Sequence, residues 1–220
     1  MLECVRKHRQ EKAQESRRKL TETALSLFAR NGFAGTNMRA ISRGAGMADG
    51  LVYHYFPGGK QELLQEIVKE KLAGIETHIQ AWDTEMTGVS LEVALERVLD
   101  TATAIFEENF ELFQLVIRDP EAHQVLEFPK LYQVLLGQQQ WLPSLLERQM
   151  REGTLREMDV ACEADTIFAL ITNYFLGRLA GLQDHYYYTE DHCRKLLRNH
   201  CRALRAVPAK LDRGEGTPGL

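Results

Sequence analysis

The chain has 220 residues, 44% of them hydrophobic, and a formal net charge of −4. That apolar content supplies at least one core, in one or two domains. No apolar run is long enough to cross a bilayer, and the basic N-terminal segment has no apolar stretch behind it to make a secretory signal. The four cysteines, Cys4, Cys162, Cys193 and Cys201, form neither a CxxC pair nor a dense framework, which fits reduced thiols and a cytoplasmic location.

Charge is unevenly spread. Residues 1–60 carry eleven Lys/Arg against five Asp/Glu, and the remainder carries sixteen against twenty-six. A basic first quarter on an acidic body suggests two domains with different partners, the basic one suited to a polyanion. The alternative is an ordinary solvated helix face.

Helical spacing recurs throughout, and nothing reads as a sheet. A first helix is expected from about Gln10 to Arg30, with Leu20, Ala24, Leu27 and Phe28 on one face and Asn31-Gly32 as its left-handed stop. Thr36 is the expected N-cap of a short second helix with Met38, Ile41 and Ala45 inside, ended by Gly44-Ala45-Gly46. A third short helix, Asp49 to Tyr55, is terminated by Pro57-Gly58-Gly59. A long fourth runs from Lys60 to about Trp82, striped by Leu64, Ile67, Val68, Lys71, Leu72, Ile75 and Ile79. Ser90 opens a second block of helices at Leu91–Glu108, Phe110–Arg118, Lys130–Arg151, Glu163–Gln183 and Glu190–Ala206. Asp119-Pro120 and Phe128-Pro129 mark breaks, Pro143 kinks or splits a helix, and the tail 207–220 is expected to be disordered.

Two short helices joined by a glycine turn, with a third before them, make a helix-turn-helix pattern, whose second helix enters the DNA major groove. Here that helix is Asp49–Tyr55. The residues Ala24, Leu27, Phe28 and Ala29, then Gly32-Phe33, Thr36, Ile41, Ala45-Gly46, Gly50, Tyr53, Tyr55-Phe56, Lys60 and Leu63-Leu64 stand in the order and spacing of one family. Over roughly residues 15–72 the sequence resembles the TetR family of bacterial transcriptional repressors; the rest matches only in being helical. The resemblance implies an all-α fold. Residues 1–60 would form a DNA-binding helix-turn-helix domain with an arm at 1–12. Residues 61–206 would form a larger ligand-binding and dimerisation domain, with 61–82 as connecting helix.

The expected DNA-facing residues are Thr36, Arg39, Asp49, Gly50, Leu51, Tyr53, His54 and Lys60. Gly50 keeps the recognition helix slim, and Lys60 at a helix start would face a phosphate. Tyr53 offers a core-type ring and a phosphate-type hydroxyl, and Tyr55 is ambiguous. The family often has Ser or Thr where Ala48 stands. Asp49 therefore either caps the helix or accepts from a cytosine amino group, and the cap is favoured because an acid beside phosphates is costly. Leu51 could touch a thymine methyl. Phe28, Phe33, Ile41, Ala45 and Phe56 are the expected small core. The segment "RKHRQEKAQESRRK" is either an arm reaching the minor groove or backbone, or a frayed helix start. A phosphate loop of the GxxxxGK[ST] type is excluded by His54 and Gln61.

By the same resemblance the body binds a small molecule and makes a homodimer. The expected ligand residues are Phe106, Phe110, Phe113, Tyr132, Gln138, Trp141, Phe168 and Thr172, suiting an apolar or amphipathic effector. Gly177 and Gly181 would let the helix over Thr166–Leu182 pack closely, and with Leu196, Leu197, Cys201 and Leu204 it would build a four-helix interface between two copies. His192-Cys193 and His200-Cys201 are spaced unlike zinc ligands on a helix, so no metal and no cofactor are expected. Gly74 either softens the fourth helix or serves packing. The reading is a dimeric regulator of double-stranded DNA with a near-palindromic operator, a repressor released by its effector and not an enzyme. The alternative is an all-helical small-molecule binder or adaptor without DNA binding.

Overall fold

The computed structural model describes residues 2–86, 88–126 and 141–206. Among these residues the regular structure is helical, apart from an isolated antiparallel bridge between Leu155 and Arg205.

The first helix, α1 (Leu2–Asn31), starts at Leu2 rather than near Gln10. No Gly or Pro interrupts residues 1–31. Ser16 Oγ donates to the Lys12 carbonyl at 2.9 Å, and Arg18 pairs with both Glu15 and Glu22 at 3.1 Å. Local propensity and i,i+3/i+4 pairs thus continue the helix where no core supports it. Gly32 closes it with φ +77° and donates to the Phe28 carbonyl at 2.9 Å.

Next come α2 (Met38–Gly44), α3 (Asp49–Tyr55) and α4 (Gly59–Glu85). Two expected caps are corrected. Asn37, not Thr36, caps α2, accepting from the Ala40 N–H at 2.9 Å. Ala48 holds the cap position of α3 without a side-chain bond, and Asp49 is the first residue inside that helix. Gly46, at φ +68°, makes the α2–α3 turn, with its N–H on the Arg43 carbonyl and that of Met47 on Ser42.

Helices α5 (Leu91–Glu108) and α6 (Phe110–Arg118) keep their expected bounds, and Ser90 caps α5. The Asp119-Pro120 break opens a further helix, α7 (Pro120–Val125), with Asp119 as N-cap and Pro120 at its start. α8 is described over Trp141–Arg151 and contains Pro143; the start expected at Lys130, the Phe128-Pro129 break and the tail 207–220 lie outside the described residues. α9 (Val160–Leu179) begins before Glu163, because Asp159 accepts from the N–H groups of Ala161 and Cys162, both at 3.1 Å. A 3-10 turn (Tyr186–Tyr188) leads into α10 (Glu190–Leu204), capped by Thr189.

The glycines of α9 serve their own chain. A Cβ at Gly177 would overlap the Tyr188 ring, and Gly181 at φ +76° ends the helix while Leu182 N–H returns to the Gly177 carbonyl at 2.8 Å. Leu197, Cys201 and Leu204 are likewise buried in their own chain's core, and Leu196 is half-buried. Gly177, Leu197, Cys201 and Leu204 are thus taken up inside the chain, whereas Gly181 is exposed.

Two apolar clusters form. One joins Leu20, Phe28, Phe33, Ile41, Val52, Phe56 and Leu64 of the first four helices to Leu112, Leu115 and Val116 of α6 and Ala122 of α7. The other gathers α5, α8, α9 and α10 around Leu99, Leu142, Leu146, Ile167 and Leu204. The helix-turn-helix core is therefore completed by α6 and α7. Asp119 sits at that junction. Its Oδ2 accepts from the Phe33 N–H at 2.6 Å, and its Oδ1 from Glu121 and Ala122 at 3.0 and 3.1 Å. Burial works to raise this carboxyl, but the N–H groups of Phe33, Ala122 and Glu121 outweigh it and hold it below the ordinary carboxylate range.

Asp119→Ala should lower unfolding stability by about 1–3 kcal/mol in denaturant melts. Because the folded-state pKa is depressed, the charge contributes above the unfolded pKa of about 3.9 and fades as pH falls through the folded value. Asp119→Asn should therefore lack that part of the acid-side loss of stability. Gly177→Ala should destabilise by about 1–3 kcal/mol, and adding Tyr188→Ala should recover part of it in a double-mutant cycle.

Candidate nucleic-acid interface and cavity

α3 turns Val52 fully inward, and Phe56 follows it into the core. Its opposite side carries Gly50, Leu51 (37% exposed), Tyr53 (52% exposed) and His54. A Cβ at Gly50 would meet nothing within 4 Å, so close approach by another molecule is open there. Tyr53 is not a core ring, whereas Tyr55 is half-buried against the cluster and its carbonyl accepts from Arg17 Nη1 at 3.3 Å. Arg39 and Arg43 of α2 are exposed on the same unit.

Three expected DNA ligands are committed to the fold. Thr36 is only 2% exposed, and its hydroxyl donates to the Gly32 carbonyl at 2.9 Å. Lys60 Nζ donates to the Phe33 carbonyl at 2.7 Å, with Thr36 O at 3.4 Å, and stands 4.4 Å from the centre of the Phe33 ring. It clamps the α1–α2 loop instead of facing solvent with a free charge. Asp49 neither caps nor projects freely. It accepts from Ser42 Oγ and lies 3.9 Å from Arg39 Nε, and its charge at the start of α3 complements the helix dipole.

Sequence reasoning missed Val52, Ser42, Asp119 and Arg17. Val52 was legible four residues before the buried Phe56. Arg17 lies 4.8 Å over Phe56 and pairs with Glu66 at 3.4 Å, a contact between distant segments that no local pattern encodes.

In the body, Phe106, Phe110 and Phe113 come together, with centroids 5.5 and 5.6 Å apart and Phe175 as an additional member at 4.8 Å. Arg178 covers Phe106 at 5.3 Å and pairs with Glu107 at 2.5 Å. Trp141 and Phe168 belong to the core of α5, α8, α9 and α10, against which Phe113 and Phe175 also pack. Thr172 is exposed on α9 rather than turned into a pocket. Tyr132 and Gln138 lie outside the described residues. A cavity of about 450 Å³ opens where α1, α4 and α6 meet. Leu25, Ile67 and Phe110 supply its apolar wall, and Glu22, Glu70, Glu107, Glu108 and Glu111 outnumber Arg18 and Lys71 around it. Among the His/Cys pairs of α10, His200 is bonded to Glu163, and burial pushes the Cys193 and Cys201 thiols up to about 11.

A three-helix unit with an exposed second helix after a glycine turn, set on an all-helical body, defines a helix-turn-helix protein. Residues 20–67 match the model of the bacterial regulatory proteins of the tetR family, so the likeness at this level lies in the helix-turn-helix unit. The chain is similar to the HTH-type transcriptional regulator LmrA of Bacillus subtilis (strain 168), at 39% identity over 56 residues, 26% of this chain and 30% of that protein. The matched region thus spans under a third of that relative's length. A longer match, 25% over 155 residues, covers 69% of this chain and 77% of the fatty acid metabolism regulator protein of the same strain. Among solved structures, FadR from Bacillus subtilis in complex with stearoyl-CoA superposes with TM-score 0.56 at 21% identity, over 84% of this chain and 95% of that one, a likeness of fold.

Lys60→Ala should cost about 1–3 kcal/mol in thermal or denaturant melts, since it leaves loop carbonyls without their cation. Tyr53→Ala should stay within about 0.5 kcal/mol of the parent. Equal melting of the two variants would contradict the clamp.

Proposed function

We propose that the chain is a homodimeric, sequence-specific DNA-binding transcriptional regulator, a repressor released by a small apolar or amphipathic effector. The observation that carries this reading is the open face of α3. Gly50, Leu51, Tyr53 and His54 stand free on a helix whose other side is locked into the core. Arg39 and Arg43 flank that face for phosphates. Asp49, the acid on this unit, is tied to Ser42 and Arg39, which relieves the charge conflict at a DNA surface. Residues 1–60 would read the operator, and residues 61–206 would pair the subunits and bind the effector. Cys162, Thr166, Ala169, Asn173 and Leu176 lie on one exposed side of α9, a better candidate for the seam between copies than Gly177 and Gly181. Two recognition helices would then enter successive major grooves about 34–36 Å apart.

The cavity between α1, α4 and α6 is the proposed effector site. Its apolar wall suits a hydrocarbon group, and its glutamate-rich rim favours a neutral or cationic head over an anionic one. The relative with stearoyl-CoA supports the amphipathic class, while the rim argues for a different head group. The test is a titration against DNA flanking the protein's own gene, beside a scrambled duplex of equal length, at several salt concentrations. Preference for the native fragment that weakens with salt is expected, with release by neutral or cationic amphiphiles exceeding release by acyl-CoA. Equal, weak binding to both duplexes would count against an operator at that locus, and selection from genomic fragments would then decide whether the chain has one at all.

A further inference from the structure

Helix α1 is far longer than the three-helix unit requires, and its free portion is directional. Two contacts fix which side of α1 meets the helix-turn-helix. A Cβ at Gly46 would lie 4.0 Å from the Lys19 ammonium, and one at Gly44 would press on the Thr23 methyl. Gly44 and Gly46 belong to the turn that delivers the start of α3. On an α-helix, residues 9, 12, 16, 19 and 23 follow one another at spacings of three and four and share a face. The face that touches the turn at Lys19 and Thr23 therefore continues outward through Ser16, Lys12 and Arg9. Arg9, Lys12 and Lys19 are exposed and form no ion pair with another described residue. Arg17 and Arg18, on other faces, are paired with Glu66 and with Glu15 and Glu22. Three unpaired cations, Arg9, Lys12 and Lys19, are thus aligned with the turn, whereas Arg6 and Lys7, which also form no ion pair with another described residue, lie off that face.

From this alignment we infer that Arg9, Lys12 and Lys19 form a phosphate-contacting stripe that extends the DNA interface beyond the helix-turn-helix. The inference rests on the DNA-binding reading above. The partner is the sugar-phosphate backbone flanking each half-site. Minor-groove insertion is ruled out by size, because a helix with side chains is about 10–12 Å across and the groove about 6 Å wide. Arg9 to Lys19 spans about 15 Å, or about four base-pair steps at 3.4 Å each. The stripe adds affinity and salt dependence but no base readout.

The experiment compares the full chain with two charge-matched variants, Arg9→Gln/Lys12→Gln on the stripe and Arg6→Gln/Lys7→Gln off it. Each is titrated between about 50 and 200 mM salt with a duplex selected from a random library by the parent protein, and each is checked by thermal melting. The stripe variant should flatten the plot of log K against log salt by about 1.8 per protomer, 0.9 for each phosphate no longer neutralised. Its base preference should be unchanged, and the off-stripe variant should keep nearly the parent slope. Equal flattening in both variants would mean that net charge alone acts, and an unchanged stripe variant would mean that the segment does not touch DNA. Either result overturns the stripe while leaving the regulator reading intact. A parent protein that selects no duplex and binds none would remove both.

Discussion

The arrangement of the whole molecule depends on one carboxylate. Asp119 receives the N–H groups of two segments far apart in sequence, Phe33 just after α1 and the first turn of α7. The geometry is tight on both sides. Gly32 must turn through φ +77°, and a Cβ there would come within 3.2 Å of Asp119 Oδ2. Burying an ionised group is costly unless its lone pairs are filled. Three backbone donors fill them here. Leu112, Leu115 and Val116 then close the core beneath Phe28 and Phe33. The small helix-turn-helix unit is consequently seated on α6 and α7 by a directional bond laid over an apolar contact.

That economy recurs within the unit. A three-helix domain is too small to bury all its loop carbonyls in regular structure, and an unpaired buried carbonyl costs about 1–3 kcal/mol. Lys60 supplies the missing donor to Phe33 O, Thr36 folds its hydroxyl onto Gly32 O, and Asp49 accepts a hydrogen bond from the Ser42 hydroxyl. Polar residues that look like DNA ligands in one dimension are thus used to build the platform. The groups left exposed on the same unit are Leu51, Tyr53 and His54 on α3, and Arg39 and Arg43 on α2. Sequence specificity on this platform would rest on few side chains.

The legible parts of the fold were those with local causes. Ser90 and the apolar period marked both ends of α5, and Asn31-Gly32 marked the end of α1. The start of α1 was hidden because residues 6–12 carry no apolar side chain, only exposed polar and charged ones. α7 was hidden because Asp-Pro was read as a break, although a cap followed by proline also starts a helix. The open face of α3 was legible through Gly50, Leu51 and His54. The bonds that Thr36 and Lys60 make within the fold were not legible, because their partners are loop carbonyls whose position depends on tertiary packing. Gly177 illustrates a different limit. A small residue implies a close neighbour, but the sequence does not say which chain supplies it, and here it is Tyr188 of the same one.

Helix α1 touches every feature relevant to regulation. Its middle lines the cavity through Arg18, Thr21, Glu22 and Leu25, its Lys19 and Thr23 flank the recognition turn, and its C-terminal end leads to the Asp119 bond. On the α6 side, Ser26 Oγ donates to Glu111 Oε1 at 3.2 Å, and on the α4 side Lys71 Nζ reaches Glu108 O at 3.5 Å. A molecule lodged between α1 and α6 would press on a lever about 45 Å long. A tilt of about 5° at the cavity would carry Arg9 through about 1–2 Å at 1.5 Å rise per residue, enough to disturb phosphate contacts that require direct ion pairing. Such a ligand shifts DNA affinity only if it binds the tilted state more tightly. The Phe33–Asp119 bond opposes the tilt from the far end of the same helix. Under the proposed function, the strength of that bond would set how much differential binding energy an effector must supply to release DNA.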